Sequence, residues 1–174
     1  MMKRLPQIVR DERGTSLVEF AFLLPVMLML FIGVIEMTNV LRLDRKVVSA
    51  ALTTADLVTQ RRSISNAELD DILRAAELIV EPFATSALSV GVASVRFHPD
   101  TGVGTIDWTS SANGGSVADA VSVAASVATP GESAIVVRAS YSYTPLFFDF
   151  VMSPSTIEET AVLRPRRSTF VEGP

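Results

Sequence analysis

The sequence predicts an α+β protein: a long amino-terminal helix, a second helix, and a small antiparallel sheet after them. Three observations carry this reading. An apolar run over residues 20–35 continues into apolar positions at helical spacing. A capping box at Ser65 and Glu68 opens a second amphipathic stretch. From Ala87 onward apolar and polar residues alternate, with turn residues between the runs.

The first helix is expected over residues 15–60. Crossing a bilayer takes about 20 helical residues at about 1.5 Å rise each. The run reaches that length over residues 17–37 if Glu19 is tolerated. Beyond it, Val40, Leu43, Val47, Ala51, Ala55 and Val58 fall on one helical stripe. Arg42, Arg45, Lys46, Ser49, Thr53 and Asp56 lie largely off it. Two uses for the stripe stand open, packing on the protein's own head and packing on another subunit. Pro25 sits inside the apolar run and cannot donate to the Ala21 carbonyl, so a kink or loosened turn is expected there.

The second helix is expected over residues 66–81, with Leu69, Ile72, Leu73, Ala76, Ile79 and Val80 as its apolar face and Pro82 as its stop. Leu88, Val90 and Val92 then alternate, and Val95 and Phe97 alternate on the other parity. That break predicts a bulge near Ala93 and Ser94. His98 to Gly102 is turn chemistry. Ile106 and Trp108 mark a second strand, and Ser116 with Asp119 offers a cap for a short helix. The clearest strand covers residues 134–143: Ile135, Val137, Ala139, Tyr141 and Tyr143 share one face. A last strand is expected over residues 156–163.

Composition narrows the function. The chain has 174 residues, net charge −4 and no cysteine. Disulfides, zinc–thiolate sites and cysteine nucleophiles are excluded, and no global basic field recruits nucleic acid. Basic residues gather at the ends: Lys3, Arg4, Arg10 and Arg13, then Arg164, Arg166 and Arg167. The first group favours a cytoplasmic amino terminus, whereas Arg42, Arg45 and Lys46 beyond the apolar run weaken that bias. A secretory signal peptide would have a shorter core and small residues at its cleavage site. After Ile35 the chain reads Glu-Met-Thr-Asn-Val-Leu-Arg, without that pattern.

The amino-terminal joint is more specific. The basic leader ends at Arg13-Gly14, and Glu19 stands five places after the glycine, at the mouth of the apolar run. A charge there is costly in lipid without a partner, and a glycine offers a protease a bare backbone. The stretch Gly14-Thr-Ser-Leu-Val-Glu19-Phe20-Ala-Phe-Leu-Leu-Pro25, followed by Gly33 and Glu36, resembles the TadE-like minor pilins of the tight-adherence (Flp-type, type IVb) pilus. Trp108-Thr-Ser-Ser-Ala, Tyr141-Ser-Tyr143-Thr-Pro145-Leu-Phe and Leu163-Arg-Pro165-Arg-Arg167 resemble that family's carboxy-terminal half. A TadF-like or truncated TadG-like sibling would share the amino-terminal signal.

The resemblance implies a prepilin, cut between Gly14 and Thr15 by a dedicated prepilin peptidase. Glu19 would then offset the new amino-terminal charge of a neighbouring subunit; the plainer reading is an interfacial carboxylate favoured by the helix dipole. It implies a single pass through the bacterial inner membrane, with a cytoplasmic leader over residues 1–14 and a membrane segment over 15–37. An amphipathic helical region over 38–82 and a strand-rich extracytoplasmic head over 83–174 would follow. The implied partners are other pilin and minor pilin subunits, the peptidase, the inner-membrane assembly platform and membrane lipid. The implied outcome is surface adhesion and biofilm formation. No cofactor is implied.

Two other classes compete with this reading. A signal-anchored extracytoplasmic binding module would share the anchor without a filament role. A membrane-anchored hydrolase lacks a catalytic set, since His98 is the sole histidine and stands in a turn. Asp100-Thr-Gly102 has no second copy, and Gly102-Val-Gly104 is a weak match to a phosphate loop. Asp70-Asp71 and Glu158-Glu159 read as solvated faces. Phe147, Phe148 and Phe150, with Val151 and Met152, form an apolar patch between Pro145 and Pro154. It either plugs the sheet against the long helix or meets a partner. Arg164, Arg166 and Arg167 read as solvated, with pairing to a partner acid as the alternative.

Overall fold

In the computed structural model, whose described residues are 13–145 and 153–174, the apolar run and the stripe behind it form one helix, α1, Arg13–Thr59. It runs without interruption through Pro25. The first half is exposed on every side, from Leu17 through Leu30. The second half is not: Leu43, Val47, Ala50, Ala51, Ala55 and Val58 are fully buried, and Val40 packs beside them. The stripe therefore faces the protein's own head. The change of character begins around Ile32, and Glu36 is the first buried residue of the helix.

Helix α2, Asn66–Ile79, starts at the expected box. The Glu68 N–H donates to the Ser65 hydroxyl, and the Ser65 N–H donates to the Glu68 carboxylate at 3.0 Å. The helix ends before the expected Glu81, with Val80 as its C-cap. Leu69, Ile72, Leu73 and Ala76 are buried against α1 and the sheet.

The strands are β1 (Leu88–Phe97), β2 (Gly104–Ala112), β3 (Ser133–Tyr143) and β4 (Ser155–Leu163), in the antiparallel order β2-β1-β3-β4. Leu88, Val90 and Val92 join Ile135, Val137, Ala139, Tyr141 and Tyr143 on the face that meets α1 and α2. Ala93, Val95, Phe97, Ala134 and Val136 point the other way, under Val117, Ala120, Ala124 and Ala128. The central strands are thus covered on both faces.

That double coverage corrects one expectation. β1 runs against β3 in unbroken register from Leu88–Tyr141 to Arg96–Ser133. Its change of apolar parity reflects two different cores, not a bulge in β1. The register shift between Ser94 and Val95 is real, but it falls on the β2 side. Ser94 pairs with Trp108 and Val95 with Ile106, so Asp107 of β2 is the extra residue.

The short helix α3, Ala120–Ala124, also differs from expectation. Asp119 is its N-cap residue but makes no side-chain cap bond. Its carboxylate is engaged by Arg138 of β3 at 2.8 Å, and Arg138 also meets Glu158 of β4 at 3.2 Å. A charged partner outweighs a neutral backbone N–H for the same oxygen.

The carboxy-terminal tail is a strap. Val171 is fully buried, and its carbonyl accepts from the Trp108 indole at 2.9 Å. The Ile64 N–H donates to the Glu172 carbonyl and the Glu172 N–H to the Arg62 carbonyl, each at 2.9 Å. Gly173 lies so close over Trp108 that a Cβ there would stand 2.3 Å from the indole ring. Arg166 pairs with Asp56 of α1 at 2.5 Å, and Arg164 with Glu132 at 3.0 Å. Both arginines are exposed, as expected, and they also tie the tail to the chain's own acids.

Candidate functional site

The candidate site is the exposed half of α1 and the junction at which the head begins. α1 is long and apolar enough to cross a membrane, and its apolar window has no buried residue. It fits a single-pass membrane anchor. The exposed stretch over residues 17–34 rises about 27 Å at 1.5 Å per residue, close to a hydrocarbon core of roughly 30 Å.

Gly14, Thr15, Glu19 and Pro25 all lie on this half, away from the head. Gly14 sits in the first turn. A Cβ built there meets no described atom within 4 Å. Helical glycine is unfavourable by roughly 0.5–1 kcal/mol relative to alanine, and nothing in the described fold requires it. Glu19 is exposed and stands one turn beyond Thr15 on the same face. The structure aligns these residues along one helix. Phe147, Phe148 and Phe150 lie outside the described residues. The strand ends that flank them, Tyr143 and Ser155, pair with each other.

Glu36 marks the junction. It is the charged residue in the buried set, 4% exposed. Its Oε1 accepts a hydrogen bond from the Tyr143 hydroxyl, which is also buried. Burial first, then the hydrogen bond to Glu36 and its negative charge, raise the Tyr143 pKa, so the phenol remains a donor at neutral pH. Nearly three turns higher, the Lys46 ammonium donates to the Ile79 carbonyl at 2.9 Å and ties α1 to the end of α2. Sequence reasoning placed Glu36 in the motif and Tyr143 on its strand but did not join them. They are 107 residues apart, and no local pattern signals the pairing.

Features weighed for catalysis take structural roles. His98 Nδ1 accepts from the Asp100 and Thr101 N–H groups at 3.3 and 3.4 Å, closing its own turn. Gly102 provides the positive φ of 67° that this turn needs. Glu158 serves Arg138. Among the described residues, no group of three or more His, Asp or Glu side chains is placed to hold a metal ion.

Residues 14–56 match the family model described as TadE-like protein. The match spans the exposed half of α1, the Glu36 junction and most of the buried stripe. No curated protein and no solved structure matches the chain.

Proposed function

We propose that this chain, TadE-like over residues 14–56, is a minor pilin of a tight-adherence pilus. The family match over residues 14–56 supports a protein associated with such pilus systems. One observation carries the finer reading. A single continuous helix is apolar and unburied in its first half and built into a folded head in its second. That is the shape of a subunit that waits in a membrane and then exchanges lipid for neighbouring helices.

In this reading a prepilin peptidase cuts between Gly14 and Thr15. The peptidase provides the catalysis and the chain provides an accessible backbone, in keeping with a glycine that no described neighbour requires. Cutting leaves a Thr15 amine with a pKa near 8, mostly charged at neutral pH. Glu19 offsets that charge on a neighbour during assembly, because pairing two charges in lipid removes much of the penalty each carries alone. Pro25 removes one hydrogen bond from the membrane half and loosens that turn for packing in a filament.

The amino terminus lies in the cytoplasm, and the head lies outside the inner membrane. The protein initiates, caps or primes the filament through contacts with other pilin subunits and the assembly platform, and so supports adhesion and biofilm formation. Phe147, Phe148 and Phe150 are the patch we assign to such a contact. A signal-anchored binding module without a filament role is the competing reading. Amino-terminal sequencing of membrane-extracted protein separates the two, since only the pilin reading requires a chain that starts at Thr15.

A further inference from the structure

We propose that the foot of the head carries a binding groove for the phosphate headgroup of an anionic phospholipid, in the leaflet where α1 leaves the membrane. The proposal rests on the reading of α1 as a membrane helix. A groove of about 680 Å³ lies between α1, the segment after α2 and the end of β3. Arg42, Arg45 and Lys46 line one side, and Pro82, Phe83 and Tyr141 the other.

Three observations point to an anion. Arg42 and Arg45 are exposed and form no ion pair among the described residues. They stand three apart on the helix, with Lys46 four from Arg42, so the like charges crowd one face. Arg61, Arg96, Arg138, Arg164 and Arg166 each hold an acid of the chain, while Arg62, Arg74 and Arg167, without an ion pair among the described residues, stand outside the groove. Lys46 is committed through one bond to the Ile79 carbonyl, which holds the groove wall in place.

The source of the anion follows from depth. Arg42 lies six residues past Glu36, a rise of about 9 Å. The headgroup layer of one leaflet is roughly 5–7 Å thick. Helical side chains lean toward the helix amino terminus, here toward the membrane, so the guanidinium groups reach back into that layer. Tyr143 lines the same groove and is bonded to Glu36, which sets the lower rim at the membrane boundary. The aromatic and proline wall suits the glycerol end of a lipid better than a fully hydrated ion. The groove also accounts for three cations on the side of the membrane where basic residues are disfavoured.

The test uses the full-length chain. Flotation with pure phosphatidylcholine vesicles examines the membrane reading alone: protein left behind sinks that reading and this proposal with it. Protein from nanodiscs of equimolar phosphatidylcholine and phosphatidylglycerol is then studied by native mass spectrometry. The expected result is selective retention of phosphatidylglycerol. Arg42→Gln with Arg45→Gln should weaken it roughly thirtyfold, from the contribution of two basic groups near an anionic surface. Arg42→Lys with Arg45→Lys should largely restore it, and Arg74→Gln, an exposed charge on α2, should leave it unchanged. Flotation without a lipid preference, or a preference undiminished in the double Gln variant, would overturn the proposal and leave these cations to a partner protein. Displacement of the lipid by millimolar inorganic phosphate would equally overturn it, in favour of a free-anion site.

Discussion

The Tyr143 hydroxyl donates a hydrogen bond to the Glu36 carboxylate, joining the last residue of β3 to the turn of α1 where burial begins. A carboxylate at that depth is costly without partners. The contact therefore fixes the height at which the anchor stops and the head begins. Tyr143→Phe removes one donor and leaves the carboxylate in place. Hydrogen bonds to charged groups contribute about 1.5–3 kcal/mol, and a loss of that size is expected in thermal unfolding of the full-length protein in detergent. Glu36→Gln keeps an acceptor and removes the charge, so it should cost less. A harmless Tyr143→Phe would show that the contact carries no stability.

The same pair predicts an alkaline effect. The Tyr143 pKa is raised by burial and by Glu36. The folded chain then holds the phenolic proton more tightly than the unfolded chain does. The contribution is complete below the ordinary tyrosine value of about 10 and is lost as pH rises above it. Stability of the native chain should fall more steeply above about pH 10 than that of Tyr143→Phe. Parallel curves would contradict the assignment.

The stripe on α1 makes a second, larger prediction. Leu43, Val47 and Val58 are fully buried in the head core. Burial of each contributes roughly 1.5–3 kcal/mol, together roughly 5–9 kcal/mol, which rivals the typical domain stability of about 5–15 kcal/mol. A fragment starting at Thr38 should fold and stay soluble. One starting after Gln60 should aggregate, with Ile135, Val137 and Tyr141 uncovered. Equal thermal stability of the two fragments would show that the stripe is not core.

Local signals made much of this fold legible in the sequence. The helical spacing from Val40 to Val58, the Ser65–Glu68 box and the alternation from Ile135 to Tyr143 each depend on residues close in the chain, and each appears in place. What escaped depends on distant partners. The parity change in β1 came from a second core under α3, and the bulge belonged to Asp107 on the neighbouring strand. The helix expected to be capped by Ser116 with Asp119 has Asp119 itself as its N-cap residue, with its carboxylate on Arg138, and Arg166 meets Asp56, 110 positions earlier in the chain. The candidate site divides the same way: Gly14 and Glu19 were readable as a local motif, while the Glu36–Tyr143 bond was not.

Glu19 carries the assembly prediction. Glu19→Ala makes the helix more apolar and should still insert. It should lose piliation, because a neighbour's Thr15 amine would lack its counter-charge. Glu19→Asp should be intermediate, as the charge remains with a shorter reach. Normal pili with Glu19→Ala, counted by electron microscopy, would refute the pairing role.

The most direct test of the whole account is the intact mass of the protein extracted from membranes of cells with active pilus machinery. The account predicts a chain that has lost its first 14 residues and begins at Thr15, with Gly14→Val trapped at full length because a branched side chain stiffens the scissile backbone. A native chain that still begins at Met1, or one that begins after Ile35, would contradict it.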